Sequence, residues 1–371
     1  MRVIVAMSGG VDSSVAAARL VQAGSDVVGV TLRLRDDPAA ASAAPHPPES
    51  ELDAGTAAAR LGIPHHVIDV REEFDRVIVT PFVDAYLAGL TPSPCVVCNR
   101  RIKLAVLERV RCRLGADGVA TGHYARIQTV SGGPRLYRAR DRGKDQSYFL
   151  HALGPEGLAR LLLPLGDLNK SEVRAEARRL GLPRSERGES QELCFVPDGR
   201  YVGLVEARGG DRVRPGALVD ASGREVGRHR GIHAFTLGQR RHLGVALGSP
   251  AYVTGIDPES GRVRLGSRDQ LASLGASLEG VVLDDDVKLP VACEVVVRYR
   301  ADPVPARAEV GAAGGLTIHF ARPVAVVVPG QYAVLYAGER VLGGGRIQAA
   351  LRVVDPPAPL GARRERGPAC P

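Results

Sequence analysis

The chain has no tryptophan, aromatic residues make up only 4% of it, and just four of its 49 basic residues are lysines: Lys103, Lys144, Lys170 and Lys288. Scarce aromatics argue against nucleic-acid binding by broad stacking platforms, which need ring faces. No apolar run approaches the ~20 residues of a membrane-spanning helix. Met1-Arg2-Val3-Ile4-Val5-Ala6 forms a short strand rather than a signal-peptide core. Both absences predict a cytoplasmic protein with no membrane partner. Six cysteines in 371 residues are too sparse for a disulfide scaffold, and a cytosolic cysteine cluster more often serves a metal or catalysis.

A chain of this length needs two or three domains, because one hydrophobic core does not grow that large. The net charge of +8 suggests a polyanionic partner. From Arg2 to Leu114 strand and helix signals alternate: a β-branched run at Arg2–Met7, a helical pattern at Asp12–Ala23 closed by Gly24, and a strand at Asp26–Leu34. An Ala-rich helix ending at Leu61-Gly62, a strand at His65–Val70, and helices at Glu72–Leu90 and Asn99–Leu114 follow. This alternation predicts an α/β doubly wound parallel sheet over 1–205. The Pro- and Ala-rich stretch Arg35–Ser50 interrupts it as an expected loop or lid.

Beyond Gly199 the pattern turns to short strand-like runs at Gly216–Val219, Tyr252–Ile256, Arg262–Leu265, Glu294–Arg300 and Val324–Val328, separated by turns. We expect a small β-rich domain at 206–275, a C-terminal β-barrel-like domain at 276–355 and a basic tail at 356–371.

Ser8-Gly9-Gly10-Val11-Asp12-Ser13-Ser14 lies between the first strand and the first helix. Two glycines allow close backbone approach, three serines offer hydroxyls, and the helix start offers unpaired N–H groups: a phosphate cradle. Its spacing matches neither the Walker nor the dinucleotide pattern. A plain N-cap at Asp12 or Ser13 is the structural alternative. Pro94-Cys95-Val96-Val97-Cys98-Asn99 sets a C-x-x-C before the expected basic helix, whose N-terminus, with Arg100, Arg101 and Lys103, would lower the thiol pKa values. Cys194, in Glu189-Ser190-Gln191-Glu192-Leu193-Cys194-Phe195-Val196-Pro197-Asp198-Gly199, is a third candidate. Zinc and a dithiol redox pair remain alternatives. Cys112 reads as packing, and Cys293 and Cys370 receive no role.

Ser8-Gly9-Gly10-Val11-Asp12-Ser13 resembles the pyrophosphate loop of the PP-loop ATP pyrophosphatases. Four further segments narrow the resemblance: Thr91–Asn99, Ala120-Thr121-Gly122-His123-Tyr124, Lys144-Asp145-Gln146-Ser147-Tyr148-Phe149-Leu150, and Phe235-Thr236-Leu237-Gly238-Gln239-Arg240. With the Cys194 segment they resemble the bacterial tRNA-specific 2-thiouridylases, in order, from Val3 to about Gln348.

The resemblance implies ATP-dependent sulfur transfer to C2 of the wobble uridine of tRNA, with ATP and Mg²⁺ as cofactors and a cysteine desulfurase or sulfur-relay protein as donor. It implies catalytic roles for Cys194 (persulfide), Cys98 (resolving thiol) and Asp12. ATP contacts would come from Ala6, Met7, Ser8, Gly9, Gly10, Val11, Asp12, Ser13, Leu32 and Gly122. Ser93, Pro94 and Cys95 would meet the target base; His123, Lys144, Asp145, Gln146, Arg298, Tyr299 and Gln331 would contact the tRNA, the anticodon arm among them. Cys95 stands where the family often has Asp, so it is either a substitute for that acid or, with Cys98 and Cys194, a ligand of an iron–sulfur cluster; the persulfide route is the favoured expectation. Twelve basic residues against three acids between Arg100 and Lys144, and Arg224, Arg228, Arg230, Arg240 and Arg241 around Glu225, fit a phosphate-facing side.

Overall fold

A computed structural model of the chain describes residues 1–36, 49–183, 193–196, 199–245 and 248–352. Most of the expected loop at Arg35–Ser50, part of the Cys194 segment, Cys370 and the basic tail lie outside the described residues.

The N-terminal unit is a five-stranded parallel sheet. Its strands β1 (Arg2–Ala6), β2 (Asp26–Arg33), β3 (His65–Asp69), β4 (Gly118–Ala120) and β7 (Leu161–Leu162) run in the order β3-β2-β1-β4-β7. Val3, Ile4 and Val5 are wholly buried, as a central parallel strand covered on both faces must be. The order reverses at β1, so the crevice between the C-terminal ends of β1 and β4 is the topological switch point of the sheet. Helix α1 (Val11–Gln22) leaves β1 there, through the glycine loop.

Two expected helices take a wider turn. The run at Glu72–Leu90 is helical over Arg71–Phe74 and Thr80–Leu87, with a π-helical turn, Asp75–Val79, between them. The expected Asn99–Leu114 helix begins earlier, at Pro94, so the C-x-x-C lies inside the first helical segment (Pro94–Cys98), ahead of a π turn (Asn99–Lys103) and a final segment (Leu104–Arg113). Proline at the first helical position explains the early start, since its missing N–H costs nothing there.

The β-rich remainder forms two sheets. Gly216–Val219, Glu225–His229, Tyr252–Asp257 and Arg262–Gly266 make a four-stranded sheet. Ser273–Leu283, Val291–Val296, Val304–Val310, Leu316–Val324, Tyr332–Ala337 and Arg340–Arg352 close into a barrel by pairing of the first with the last. Two expected strands shift. The chain leaves the sheet at Val296, before Arg300 at φ 63°, and again at Val324, with Val327 and Val328 buried beyond the strand end.

A hairpin of the N-terminal unit, β5 (Arg126–Val130) and β6 (Gly133–Tyr137), joins the barrel's last strand at Arg340. Arg135, 2% exposed, pairs there with Asp285 at 2.6 Å and faces Asp284 and Asp286 at 3.5 Å, while Arg340 grips Asp284 at 2.8 Å. The Arg138 guanidinium lies 3.5 Å over the Tyr336 ring. Arg340 still faces Asp284 and Asp286 when Arg135 is removed, and Asp285 is open to solvent, so the loss is expected to cost about 1–3 kcal/mol. Arg135→Leu is therefore expected to lower the melting temperature of the full chain by several degrees in a calorimetric scan; an unchanged melt would show that the cluster contributes nothing.

Candidate active site

The loop after β1 is built around one hydroxyl. Ser13 Oγ accepts from Ser8 N (3.1 Å) and donates to the Gly10 carbonyl (3.0 Å), folding the loop back on its helix. Gly9 adopts φ 72°, where a Cβ would stand 2.2 Å from the Ser50 carbonyl oxygen, so only glycine fits. Gly10 is the N-cap residue of α1 and brings no side chain to its first N–H groups, which corrects the reading of Asp12 or Ser13 as a plain N-cap. A helix start of this kind favours anions. From β4, Gly122 abuts the loop so closely that a Cβ would lie 2.8 Å from Ser13 N and 2.9 Å from Asp12 C. Ala6, Met7 and Val11 are held by packing, and Leu32 lies near the end of β2; Met7 is 2% exposed and its carbonyl accepts from Thr31 Oγ1 at 2.6 Å.

Asp12 is in the second position of α1. Its carboxylate receives Lys170 Nζ at 2.6 and 2.7 Å and the Tyr124 hydroxyl at 2.7 Å. Lys170 is 8% exposed and begins the helix Lys170–Arg179. The Asp12 carboxylate is thus committed to protein partners. Among the described residues no group of three His, Cys, Asp or Glu side chains could hold a metal ion. Asp12 is therefore not a free ligand for a resident Mg²⁺, and Cys95, Cys98 and Cys194 do not form a group that would hold an iron–sulfur cluster.

The sulfur residues gather at the neighbouring helix. Cys98 is buried, Cys95 half-buried and Cys194 exposed, and none is in a disulfide. Cys194 is placed by its neighbour Phe195, whose ring packs edge-on against Phe82 (5.0 Å) and Phe74 (5.7 Å). The π turn after Cys98 widens the helix and carries Lys103, which is half-buried. Burial opposes the Lys103 charge, yet the thiolates of Cys98, Cys194 and Cys95 outweigh it and raise its pKa. In return burial pushes the Cys98 thiol up to about 12, against the pull of Lys103, and burial also raises the Cys95 thiol. This corrects the expectation of depressed thiols: Arg100 and Arg101 are exposed, and desolvation wins.

His123 follows Gly122, and its Nδ1 lies 2.9 Å from Thr121 Oγ1. Burial, then the charge of Lys103, pushes its pKa down to about 3, so the ring is neutral at physiological pH. His123 thus follows the glycine that abuts the loop and lies within the electrostatic reach of Lys103.

Other expected residues are spent within the chain. Asp145 accepts from Ala139 N, Ser147 N and Ser147 Oγ; Gln146 Oε1 accepts from Tyr124 N; Gln331 Nε2 donates to the Thr91 carbonyl at 2.9 Å. The Tyr299 ring packs on Phe149 (4.3 Å), whereas Arg298 is exposed and Lys144 half-buried. Ser93 and Pro94 start the C-x-x-C helix. From the sequence, Lys170 and Tyr124 receive no role and Lys103 counts only as a nearby charge. Their signal was available: in a chain that uses arginine for nearly every cation, two of the four lysines sit at this site.

Residues 1–198 match the family model described as the tRNA methyl transferase HUP domain, 207–267 its PRC-barrel domain, and 279–347 the aminomethyltransferase β-barrel domain. A tRNA-specific 2-thiouridylase MnmA of Sorangium cellulosum is 55% identical over 358 residues, covering 95% of this chain and 93% of that protein. The protein of that name from Roseiflexus sp. is 46% identical over 369 residues (93% and 99%), and that of Geobacter metallireducens 43% over 365 (94% and 97%). The chain belongs to the tRNA-specific 2-thiouridylase family. Within this family member the charge of Lys103 is coupled to Cys98, Cys194 and Cys95, and Cys98 is a buried thiol.

Because a thiolate, not a thiol, is alkylated, iodoacetamide labelling followed by peptide mass spectrometry tests that arrangement. Cys98 is expected to label far more slowly than exposed Cys112 at pH 8 and to keep accelerating as pH rises above 9; Lys103→Met should slow it further. Equal labelling of Cys98 and Cys112 at pH 8 would refute the buried, neutral thiol.

Proposed function

We propose that the protein catalyses ATP-dependent 2-thiolation of the wobble uridine of tRNA. The observation that carries this reading is the glycine- and serine-rich loop at the sheet's switch point, whose Gly10 N-cap leaves the first N–H groups of α1 without a side-chain partner. Family membership supports it. A uracil oxygen is a poor leaving group, so it must be activated before it can be replaced.

In the proposed sequence the C2 oxygen attacks the α-phosphorus of ATP, forming a C2–O–AMP bond and expelling pyrophosphate toward the loop of Ser8, Gly9, Gly10 and Ser13. The α1 N–H groups and Lys170, steered by Asp12, stabilise that charge. A sulfur donor, a cysteine desulfurase or a relay protein, has already passed a sulfane sulfur to Cys194, leaving as its own thiolate. The terminal sulfur of the Cys194 persulfide attacks C2 and AMP departs. Cys98 thiolate then attacks Cys194 Sγ; the S–S bond to the base breaks, its electrons remain on the new thiocarbonyl, and a Cys98–Cys194 disulfide forms. A dithiol reductant returns two electrons to reset the pair. Lys103 is the cation that these successive sulfur anions face.

In this reading 1–205 performs the chemistry, while 206–275 and 276–355 help hold a long RNA, with 356–371 as a basic tail. Leu32 and Gly122 border the nucleotide; Ser93, Pro94 and Cys95 border the base; Lys144, Arg298 and His123 face the tRNA. Asp145, Gln146 and Tyr299 support those contacts from within. The enzyme acts in the cytoplasm, where tRNA and the donor are found.

Mass spectrometry of tRNA nucleosides tests the assignment. Cys98→Ser and Cys194→Ser are each expected to reduce 2-thiouridine formation at least ~1,000-fold, as losses of residues acting in one covalent relay do, while tRNA-dependent release of pyrophosphate continues. Full thiolation by either variant would overturn the sulfur steps, and bound but uncleaved ATP in the presence of tRNA would point to a nucleotide sensor instead.

A further inference from the structure

The stretch that leads into the C-x-x-C helix is held from both β domains at one residue. Thr91 N donates to the Pro329 carbonyl (3.2 Å), the Thr91 carbonyl accepts from Gln331 Nε2 (2.9 Å), and Thr91 Oγ1 meets Thr236 Oγ1 at 3.3 Å. Pro329 and Gln331 precede the barrel strand Tyr332–Ala337, and Thr236 belongs to the middle unit. Gly330, at φ 92°, lies so close that a Cβ would come within 3.0–3.1 Å of the Thr91 backbone. Gly89, at φ 71°, touches the middle unit in the same way, with Ile256 Cγ2 2.9 Å from where its Cβ would stand.

Gln331 is well placed to transmit force. Its backbone is tied at both ends, N–H to the Val328 carbonyl (3.2 Å) and carbonyl to Ile347 N (2.8 Å), so its amide is a short arm from a rigid barrel corner. The arm ends three residues before Pro94, where the helix of Cys95 and Cys98 begins. One of the two amide N–H groups of Gln331 is committed inside the chain, to the Thr91 carbonyl.

We propose that Gln331 is a positioning residue for the sulfur site: by holding the Thr91 carbonyl it sets where the C-x-x-C helix starts, and it passes the barrel's grip on bound RNA to that helix. The second half of the statement rests on the function proposed above; the first half does not.

The test uses the full chain carrying Gln331→Ala, Gln331→Glu or Thr236→Val. Three quantities are read: iodoacetamide labelling of Cys98 relative to Cys112 without RNA, tRNA affinity at fixed salt, and the single-turnover thiolation rate at saturating tRNA. Loss of one neutral hydrogen bond corresponds to about five-fold, so both Gln331 variants are expected to label Cys98 about five times faster and to thiolate about five times more slowly, with tRNA affinity nearly unchanged. Glu keeps the size of Gln and loses the donor, so it should behave as Ala does. Thr236→Val loosens the same residue from the other domain, should raise Cys98 labelling as well, and decides the matter if the Gln331 variants fail to fold. Unchanged Cys98 labelling in all three variants, or weaker tRNA binding with full single-turnover rate, would overturn the proposal. A chain that labels as expected yet never thiolates tRNA would uphold the positioning role and refute the proposed function.

Discussion

The site depends on the burial of Phe195 between Phe74 and Phe82. Cys194 itself is exposed; its neighbour supplies the anchor, with Val196 buried beside it. Phe82 also packs on Tyr86, which stacks on Tyr201 at 4.4 Å, so the anchor continues into the helix Tyr201–Gly209 that leads to the β domains. A handful of rings in a chain with few of them thus anchors the segment that carries the exposed Cys194. Aromatic pairs add about 0.5–1.5 kcal/mol each beyond their area, and several acting on one short segment suffice to define its position.

That placement creates an electrostatic problem which Lys103 answers. Burial makes Cys95 and Cys98 resist ionisation, and with its pKa pushed up to about 12 Cys98 is a neutral thiol at physiological pH. In the relay we propose, charge would appear briefly on one sulfur after another. A lysine suits this better than an arginine: its ammonium is a compact point charge that can face any of the three, whereas a guanidinium is shaped for a planar, two-oxygen partner. His123 stays neutral beside it, so the positive charge is not doubled. On the other side of His123, Lys170 is fixed on Asp12 by two short contacts and does not wander.

Much of the fold was legible because parallel strands are continuous apolar runs and because Gly9, Gly24 and Gly62 stand at the turns their positive φ requires. The phosphate loop was legible for the same reason, since its glycines and serines act through local backbone geometry. The π turns were not: a one-residue widening leaves no trace in a 3.6-residue periodicity. The β5–β6 hairpin escaped because its strands are short and mostly polar, and it is stabilised by a sheet formed some two hundred residues later. The direction of the thiol pKa values was misread because sequence shows which charges are near in the chain, not which are turned to solvent. Arg100 and Arg101 are adjacent in sequence yet exposed, while Lys103, a few residues on, faces the sulfurs.

The buried Arg135 cluster has a consequence for how the molecule is made. Chains emerge from the ribosome N-terminus first and domains fold as they appear. The nucleotide-binding unit is complete in sequence long before Asp284, Asp285, Asp286 and Arg340 have been added, yet its hairpin cannot bury Arg135 or pair its outer edge without them. A nascent or truncated chain therefore carries an unfinished sheet edge and an unmatched guanidinium. Synthesis of the last barrel strand, rather than closure of the N-terminal sheet, marks the moment at which the enzyme is finished.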